Sequence, residues 1–191
     1  MTSRPLEIAE YNEIIRSLNT GFVTQKNTVF RPNKQVALAL QLEANLGLRI
    51  GDVLSLRVRN FWSGKLELRE EKTGKLQFRN INTQVYEYIR NYVAENQLLP
   101  DSCLFNVKVR AVQKQLKMIT DYLGLENVST HSFRKMYATA VYEANSHNLG
   151  LVKDMLNHAD ISTTQRYIRI SQQAINAASA KINFLNLNFQ S

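Results

Sequence analysis

The residues of this chain best suited to chemistry are two arginines, a lysine, two histidines and a tyrosine, and as a set they suit the handling of a phosphate. His131 and Arg134, in "THSFRKMYAT", lie one turn apart at the start of a helical pattern. There the free backbone N–H groups and the helix dipole add to their pull on an anion. Arg49, in "NLGLRIGDVLSL", has apolar neighbours on both sides. That suits an arginine held at a packed corner, with its fork of donors ready to grip a phosphate. Lys72, in "REEKTGKLQF", precedes a Thr73-Gly74 turn. From a hairpin tip a lysine can reach into a groove and give a proton to a departing alkoxide. In "NHADISTTQRYIRI", His158 is followed across a polar turn by Tyr167. A phenol ordinarily titrates at about 10. It acts as a nucleophile only where cations steady the phenolate or a base takes its proton.

Each of these residues also has a plainer reading. His131 and Arg134 would suit any exposed helical turn, and Arg49 could satisfy helix-end carbonyls or Asp52. Lys72 could be a solvated lysine that discourages edge pairing, and Tyr167 a core tyrosine with a polar tip. Tyr137 and Tyr142, on the helix of His131, read as packing residues, as do Tyr86, Tyr88 and Tyr92 on an amphipathic helix. His147 reads as a loop histidine. The readings part on whether one fold brings these distant segments together.

The elements that must position them read as mostly α with one small sheet. "RPLEIAEYNEIIRSL" is an amphipathic helix with Leu6, Ile14, Ile15 and Leu18 inward. Residues 19–31 read as a polar connection. A helix then starts at Pro32 and stops at Gly47, and a second short one, "IGDVLSL", follows at once with Leu48 and Arg49 in the corner. Alternation in Leu66, Leu68, Leu76 and Phe78 predicts two or three antiparallel strands with tips near Gly64 and Gly74. The remainder is helical: one segment capped by Thr83, one ending at Gly124, one capped by Ser129-Thr130, one ending near His158. Ser162 is expected to cap a short helix carrying Tyr167, and "SQQAINAASAKINFL" to form a last amphipathic helix.

The chain has 191 residues, enough for one domain with a substantial core. Its 24 Lys+Arg against 16 Asp+Glu give a net charge of +8, which suits a polyanionic partner such as nucleic acid or an anionic membrane surface. One cysteine, Cys103, excludes an internal disulfide and suits a reducing cytosol. No apolar run approaches the roughly 18–20 residues needed to span a bilayer. The three histidines and one cysteine lack zinc-ligand spacing, and no GxxxxGK[ST] loop is present.

In combination, "GLRIGDVLSL", "EKTGK", "HSFRKMYAT" and "LVKDMLNHADISTTQRY" resemble the tyrosine recombinase (phage integrase) family, over about residues 5–175. The resemblance implies an α+β, mainly α, catalytic domain at residues 1–175 with a small antiparallel sheet of about three strands. It implies a C-terminal helix or tail at residues 176–191, docking on its own domain or on a neighbouring protomer. The family's N-terminal clasp domain is not expected, so the chain reads as a catalytic fragment or a naturally minimal recombinase. The implied activity is site-specific DNA cleavage and rejoining through a 3′-phosphotyrosyl link, for integration, excision or inversion. Tyr167 would attack the scissile phosphate. Arg49 and Arg134 would hold its non-bridging oxygens, and His158 would donate a hydrogen bond to it. Lys72 would protonate the leaving 5′-oxygen, His131 would assist proton transfer, and Asp52 would support the site. The implied partners are double-stranded DNA and further copies of the chain, as a tetramer on DNA and a monomer free in solution, in the cytoplasm. No metal or cofactor is expected, and no membrane partner. Relaxation of supercoiled DNA in the manner of a type IB topoisomerase is the nearest alternative activity. A catalytically silent DNA-binding regulator on the same fold is another.

Overall fold

The computed structural model describes residues 3–24, 27–165, 167–168, 176 and 179–180. Helix α1, Ile8–Thr20, begins at a capping box in which the Glu10 carboxylate reaches back to the Glu7 amide at 3.0 Å. Arg4 grips the same carboxylate through two hydrogen bonds of 2.6 and 2.7 Å. Ile14, Ile15 and Leu18 face inward, and Leu6 is buried beside them, as the periodicity predicts.

The stretch read as a polar connection instead holds a small hairpin, β1 (Phe22–Val23) paired antiparallel with β2 (Val29–Phe30). The Phe22 ring stacks on Phe30 at 4.8 Å and on Tyr122 at 4.0 Å. Aromatic packing, with no periodic pattern behind it, holds this hairpin.

Helix α2, Lys34–Leu46, starts later than Pro32, because the Asn33 side chain accepts the Val36 amide at 3.1 Å and so fixes the N-cap. Val36 to Leu40, Leu42 and Leu46 are all buried, so α2 is the central helix, covered on most sides. It packs chiefly on α6 and also on α1 and α3. It stops at Gly47, which is left-handed at φ 59° and ψ 21°. A Cβ there would meet the Tyr137 ring at 2.3 Å, so both backbone and space call for glycine. Helix α3, Ile50–Leu54, follows directly.

The main sheet has the order β3 (Phe61–Trp62), β4 (Lys65–Arg69), β5 (Leu76–Asn80), all antiparallel. Leu66 and Leu68 point into the core, and Gly64 and Gly74 turn the chain. Helix α4, Thr83–Glu95, is capped by Asn82 rather than Thr83, the Asn82 side chain taking the Gln84 amide at 2.9 Å. Helix α5, Val109–Leu123, ends at a left-handed Gly124. Helix α6, Thr130–Ala144, starts at a Ser129 capping box. Helix α7, Leu149–Met155, stops a turn before His158.

Helix α8, Ile161–Gln165, begins ahead of Ser162 because Asp160 takes the Ser162 amide at 2.9 Å. The helix is only one turn long, and Tyr167 sits in the turn after it rather than on it. Ala138, Val152, Leu156 and Ile168 form a second small core that carries Tyr167 at its edge. The expected C-terminal helix and tail at residues 176–191 lie mostly outside the described residues. The mainly α fold with its small antiparallel sheets agrees with the expected class. The hairpin β1–β2 is the addition.

Candidate active site

Where α2 ends at Gly47, the chain turns so that Leu48 is buried and Arg49 stands at the N-cap of α3. Its guanidinium donates from Nη1 to Glu70 Oε2 at 2.7 Å, with Asp52 Oδ2 3.7 Å away. Asp52 is buried, and its Oδ1 accepts the Glu71 amide at 2.9 Å. That bond ties α3 to the turn carrying Lys72, whose side chain is exposed. Glu70 also accepts from Thr73 Oγ1 at 2.6 Å and Gln77 Nε2 at 2.5 Å. Burial alone would raise its carboxyl, but the bonds from Thr73, Arg49 and Gln77 outweigh it and hold it below the usual carboxylate range.

Arg134, on the second turn of α6, has no exposed surface. Its Nη1 donates to the Gly47 carbonyl at 2.6 Å and its Nη2 to the Leu156 carbonyl at 2.9 Å. It thus bridges the ends of α2 and α7. Arg79, on β5, repeats the bridge one residue back, donating to the carbonyls of Leu46 and, at 3.0 Å, Met155. Burial lowers the Arg134 pKa and Arg49 adds to the effect, while Tyr167 and Glu70 oppose it.

The same Nη2 lies 3.1 Å from His158 Nε2. A guanidinium has only donors, so Nε2 accepts. The ring proton then sits on Nδ1 and is donated to Thr164 Oγ1 at 3.0 Å. Burial, then the charges of Arg134 and Arg49, push His158 down to about 4, so it is neutral at ordinary pH. The resemblance implies a donor at His158, and in this arrangement its Nε2 is an acceptor from Arg134. His131, in the first turn of α6, is lowered by partial burial and by the cations Arg134, Lys135, Arg49 and Lys72, and is also neutral.

Tyr167 is fixed by its backbone, whose amide donates to the Thr164 carbonyl at 2.9 Å, and by Ile168, buried next to it. Its ring meets the His158 ring edge-on, with centroids 5.1 Å apart. Lys135 Nζ, which also donates to the Ser3 carbonyl, stands 5.5 Å from the Tyr167 centroid. Thr164 therefore orients both neighbours, His158 through its hydroxyl and Tyr167 through its carbonyl.

Arg49, Lys72, His131, His158 and Tyr167 all line one open groove of about 660 Å³, with Arg134 buried against His158 and the end of α2. Two arginines, a lysine and two neutral imidazoles around a phenol can hold a phosphate diester, supply and accept protons, and present a nucleophile. Tyr137 and Tyr142 do not line this groove. Tyr137 accepts from Arg79 at 3.3 Å, and Tyr142 packs with His147 against the second core.

Sequence reasoning missed Glu70, Thr164, Lys135 and Arg79. For Glu70 a signal was present: Leu66 and Leu68 point inward, and a strand's period of two carries that direction on to residue 70. An inward acid demands a cation. Thr164, Lys135 and Arg79 act through contacts between elements that local pattern does not encode.

The model of the Phage integrase family matches residues 6–174. The probable integrase/recombinase YoeC of Bacillus subtilis is 28% identical over 160 residues, 80% of this chain and 87% of that one. Tyrosine recombinase XerD of Staphylococcus epidermidis is 28% identical over 184 residues, 88% of this chain, which spans only 60% of that relative's length. In fold, the chain is similar to the XerH site-specific recombinase solved in a post-cleavage complex with a palindromic difH substrate. That likeness has a TM-score of 0.72 at 20% identity and covers 93% of this chain and 52% of that one. With the family's model matched along nearly its whole length, the chain belongs to the phage integrase family, that of the tyrosine recombinases.

Proposed function

We propose that this chain is the catalytic domain, at residues 1–175, of a site-specific DNA recombinase that cuts and rejoins duplex DNA through a 3′-phosphotyrosyl link. The observation that carries the reading is the convergence of Arg49, Lys72, His131, His158 and Tyr167 on one groove, with Arg134 packed against His158. Tyr167 Oη attacks the scissile phosphorus, and the bond to the 5′-oxygen breaks. His131, neutral and lining the same groove as the phenol, takes its proton. Arg49 and Arg134 hold the non-bridging oxygens and offset the charge that grows on them. Lys72 protonates the leaving 5′-oxygen. His158, accepting from Arg134 through Nε2, holds that guanidinium in place beside the phosphate. Asp52 holds the Lys72 turn through the Glu71 amide. The net charge of +8 suits the DNA backbone. The XerH relative's capture on its difH substrate after cleavage agrees in kind. Further copies of the chain would assemble on the DNA, in the cytoplasm. Among the described residues no helix is long and apolar enough to cross a membrane.

The test is a covalent trap. Duplexes of a sequence selected by binding from a random pool, each nicked at a different position, are incubated with the protein and resolved on a denaturing gel. A protein–DNA band at one nick position supports the reading. Tight, sequence-specific binding with no covalent band at any position overturns it in favour of a silent DNA-binding protein.

The role of Lys72 has its own measurement. Lys72→Ala is expected to slow adduct formation by about 10²- to 10⁴-fold on an ordinary phosphodiester. The loss should nearly vanish where the leaving 5′-oxygen is replaced by sulfur, because a thiolate departs without a proton. An equal loss on both substrates would remove Lys72 from the acid's role.

A further inference from the structure

Glu43 is a charged residue type that the mechanism above does not use. It lies in the last turn of α2, has no exposed surface, and neither carboxyl oxygen has a hydrogen-bond partner. Leaving an ionised carboxylate in that state costs several kcal/mol or more, and the negative end of the α2 dipole adds to the cost. Burial accordingly raises its pKa well above the usual range, opposed by the Arg134 charge and by the Ile50 amide, neither of which makes a hydrogen bond of normal geometry to it. On the elements packed against α2, Asp52 accepts the Glu71 amide, Tyr137 accepts from Arg79, Lys135 donates to the Ser3 carbonyl, and His131 lines the groove. Arg134 on α6 acts on it directly, Arg49 at the start of α3 is held by Glu70, and Arg4 holds Glu10 on α1.

Arg134 carries the matching deficit. Its Nη atoms serve Gly47, Leu156 and His158, while its Nε is buried without a partner. Glu43 stands four residues before Gly47 and accepts none of the bonds that the guanidinium donates. An unmet donor and an unmet acceptor thus share the interface of α2 and α6.

We propose that Glu43 is a positioning residue for Arg134: protonated, it leaves the guanidinium's charge to the scissile phosphate, and ionised, it withdraws that charge. The inference rests on the recombinase reading of the groove. With Glu43 uncharged, Arg134 keeps its two carbonyl anchors and its contact with His158, and its charge acts on Tyr167. Loss of the Glu43 proton creates an ion pair in the interior that competes with the phosphate for that charge.

The experiment compares the wild-type chain with Glu43→Gln, which keeps the shape and cannot ionise. Single-turnover adduct rates are read between about pH 6 and pH 10. Two duplexes are used, one with the natural scissile phosphate and one with a neutral methylphosphonate there, which no longer needs a balancing cation. At neutral pH the two proteins should agree within about twofold. Toward alkaline pH the ratio of variant to wild type should rise, by up to about tenfold per unit above the carboxyl's midpoint, on the phosphate alone. Groups common to both proteins contribute equally and cancel in that ratio. Superimposable profiles on the phosphate overturn the proposal, and so does an equal divergence on the methylphosphonate, which would mark a purely structural role. Carbon-13 NMR of the Glu43 carboxyl in the free protein gives a reading without DNA. It should show the protonated form at neutral pH, with a midpoint that moves in Arg134→Lys. An ionised carboxylate at neutral pH overturns the assignment, whereas absence of any adduct from the wild type overturns only the recombinase reading.

Discussion

Tyr167→Phe is expected to abolish the covalent protein–DNA band while leaving the fold and the DNA affinity intact. The substitution keeps the ring, so it keeps the edge-on contact with His158 and the contact with Lys135. It keeps the Thr164 carbonyl bond as well, since that bond belongs to the backbone. What disappears is the hydroxyl, and with it the atom that would bond phosphorus. The midpoint of thermal unfolding should therefore move by no more than about a few degrees, and non-covalent binding, dominated by phosphate contacts, should stay within about twofold. Among the residues lining the groove, Tyr167 is the one tyrosine. Tyr137 is engaged by Arg79 and lies against Gly47, and Tyr142 packs against His147 away from the groove. A wild-type level of adduct from Tyr167→Phe would move the nucleophile elsewhere and dissolve the reading of the groove.

Which parts of this were legible in the sequence follows from how each is held. Helices α1, α2 and α6 carry an apolar period and good stop or cap residues, and the β4–β5 hairpin alternates cleanly, so local pattern and tertiary burial agree there. The β1–β2 hairpin has two residues per strand, too few to show a period, and rests on stacking between Phe22, Phe30 and the distant Tyr122. Tyr167 lies in the turn after α8 rather than on it, because Asp160 starts α8 early and the helix is spent before residue 167. In the groove, the residue types of Arg49, Lys72, His131, Arg134, His158 and Tyr167 stood out, but their environments did not. That Arg134 is wholly buried depends on carbonyls offered by two helix ends far apart in the chain. That His158 is an acceptor depends on Arg134 and Thr164 together. Local sequence reports which groups are present. The proton states and the supporting contacts of Glu70, Thr164 and Glu43 are properties of the assembled interior.

Arg134 is where fold and chemistry meet, and its replacement should damage both. Arg134→Met removes the donors that satisfy the Gly47 and Leu156 carbonyls and the acceptor nitrogen of His158. Buried acceptors left without donors cost about 1–3 kcal/mol each, partly relieved by relaxation. A total near 3 kcal/mol, or ~6–12 °C in melting midpoint for a chain of this size, is the expected loss. Adduct formation should fall by about 10³-fold or more, because the charge that balances the phosphate is gone as well. Arg134→Lys separates the two effects. An ammonium keeps the charge, yet a single point of donation cannot span both helix ends as the planar fork does. The lysine variant should therefore regain part of the adduct rate on the natural phosphate while staying destabilised. Placing a methylphosphonate at the scissile position should help Arg134→Met far more than wild type, since a neutral linkage has less need of the missing cation. If Arg134→Met melts like the wild type, the bridge between α2 and α7 is not what holds that part of the fold. If its cleavage rate is unchanged, Arg134 has no place at the phosphate, and Arg49 would be left to neutralise the phosphorane alone.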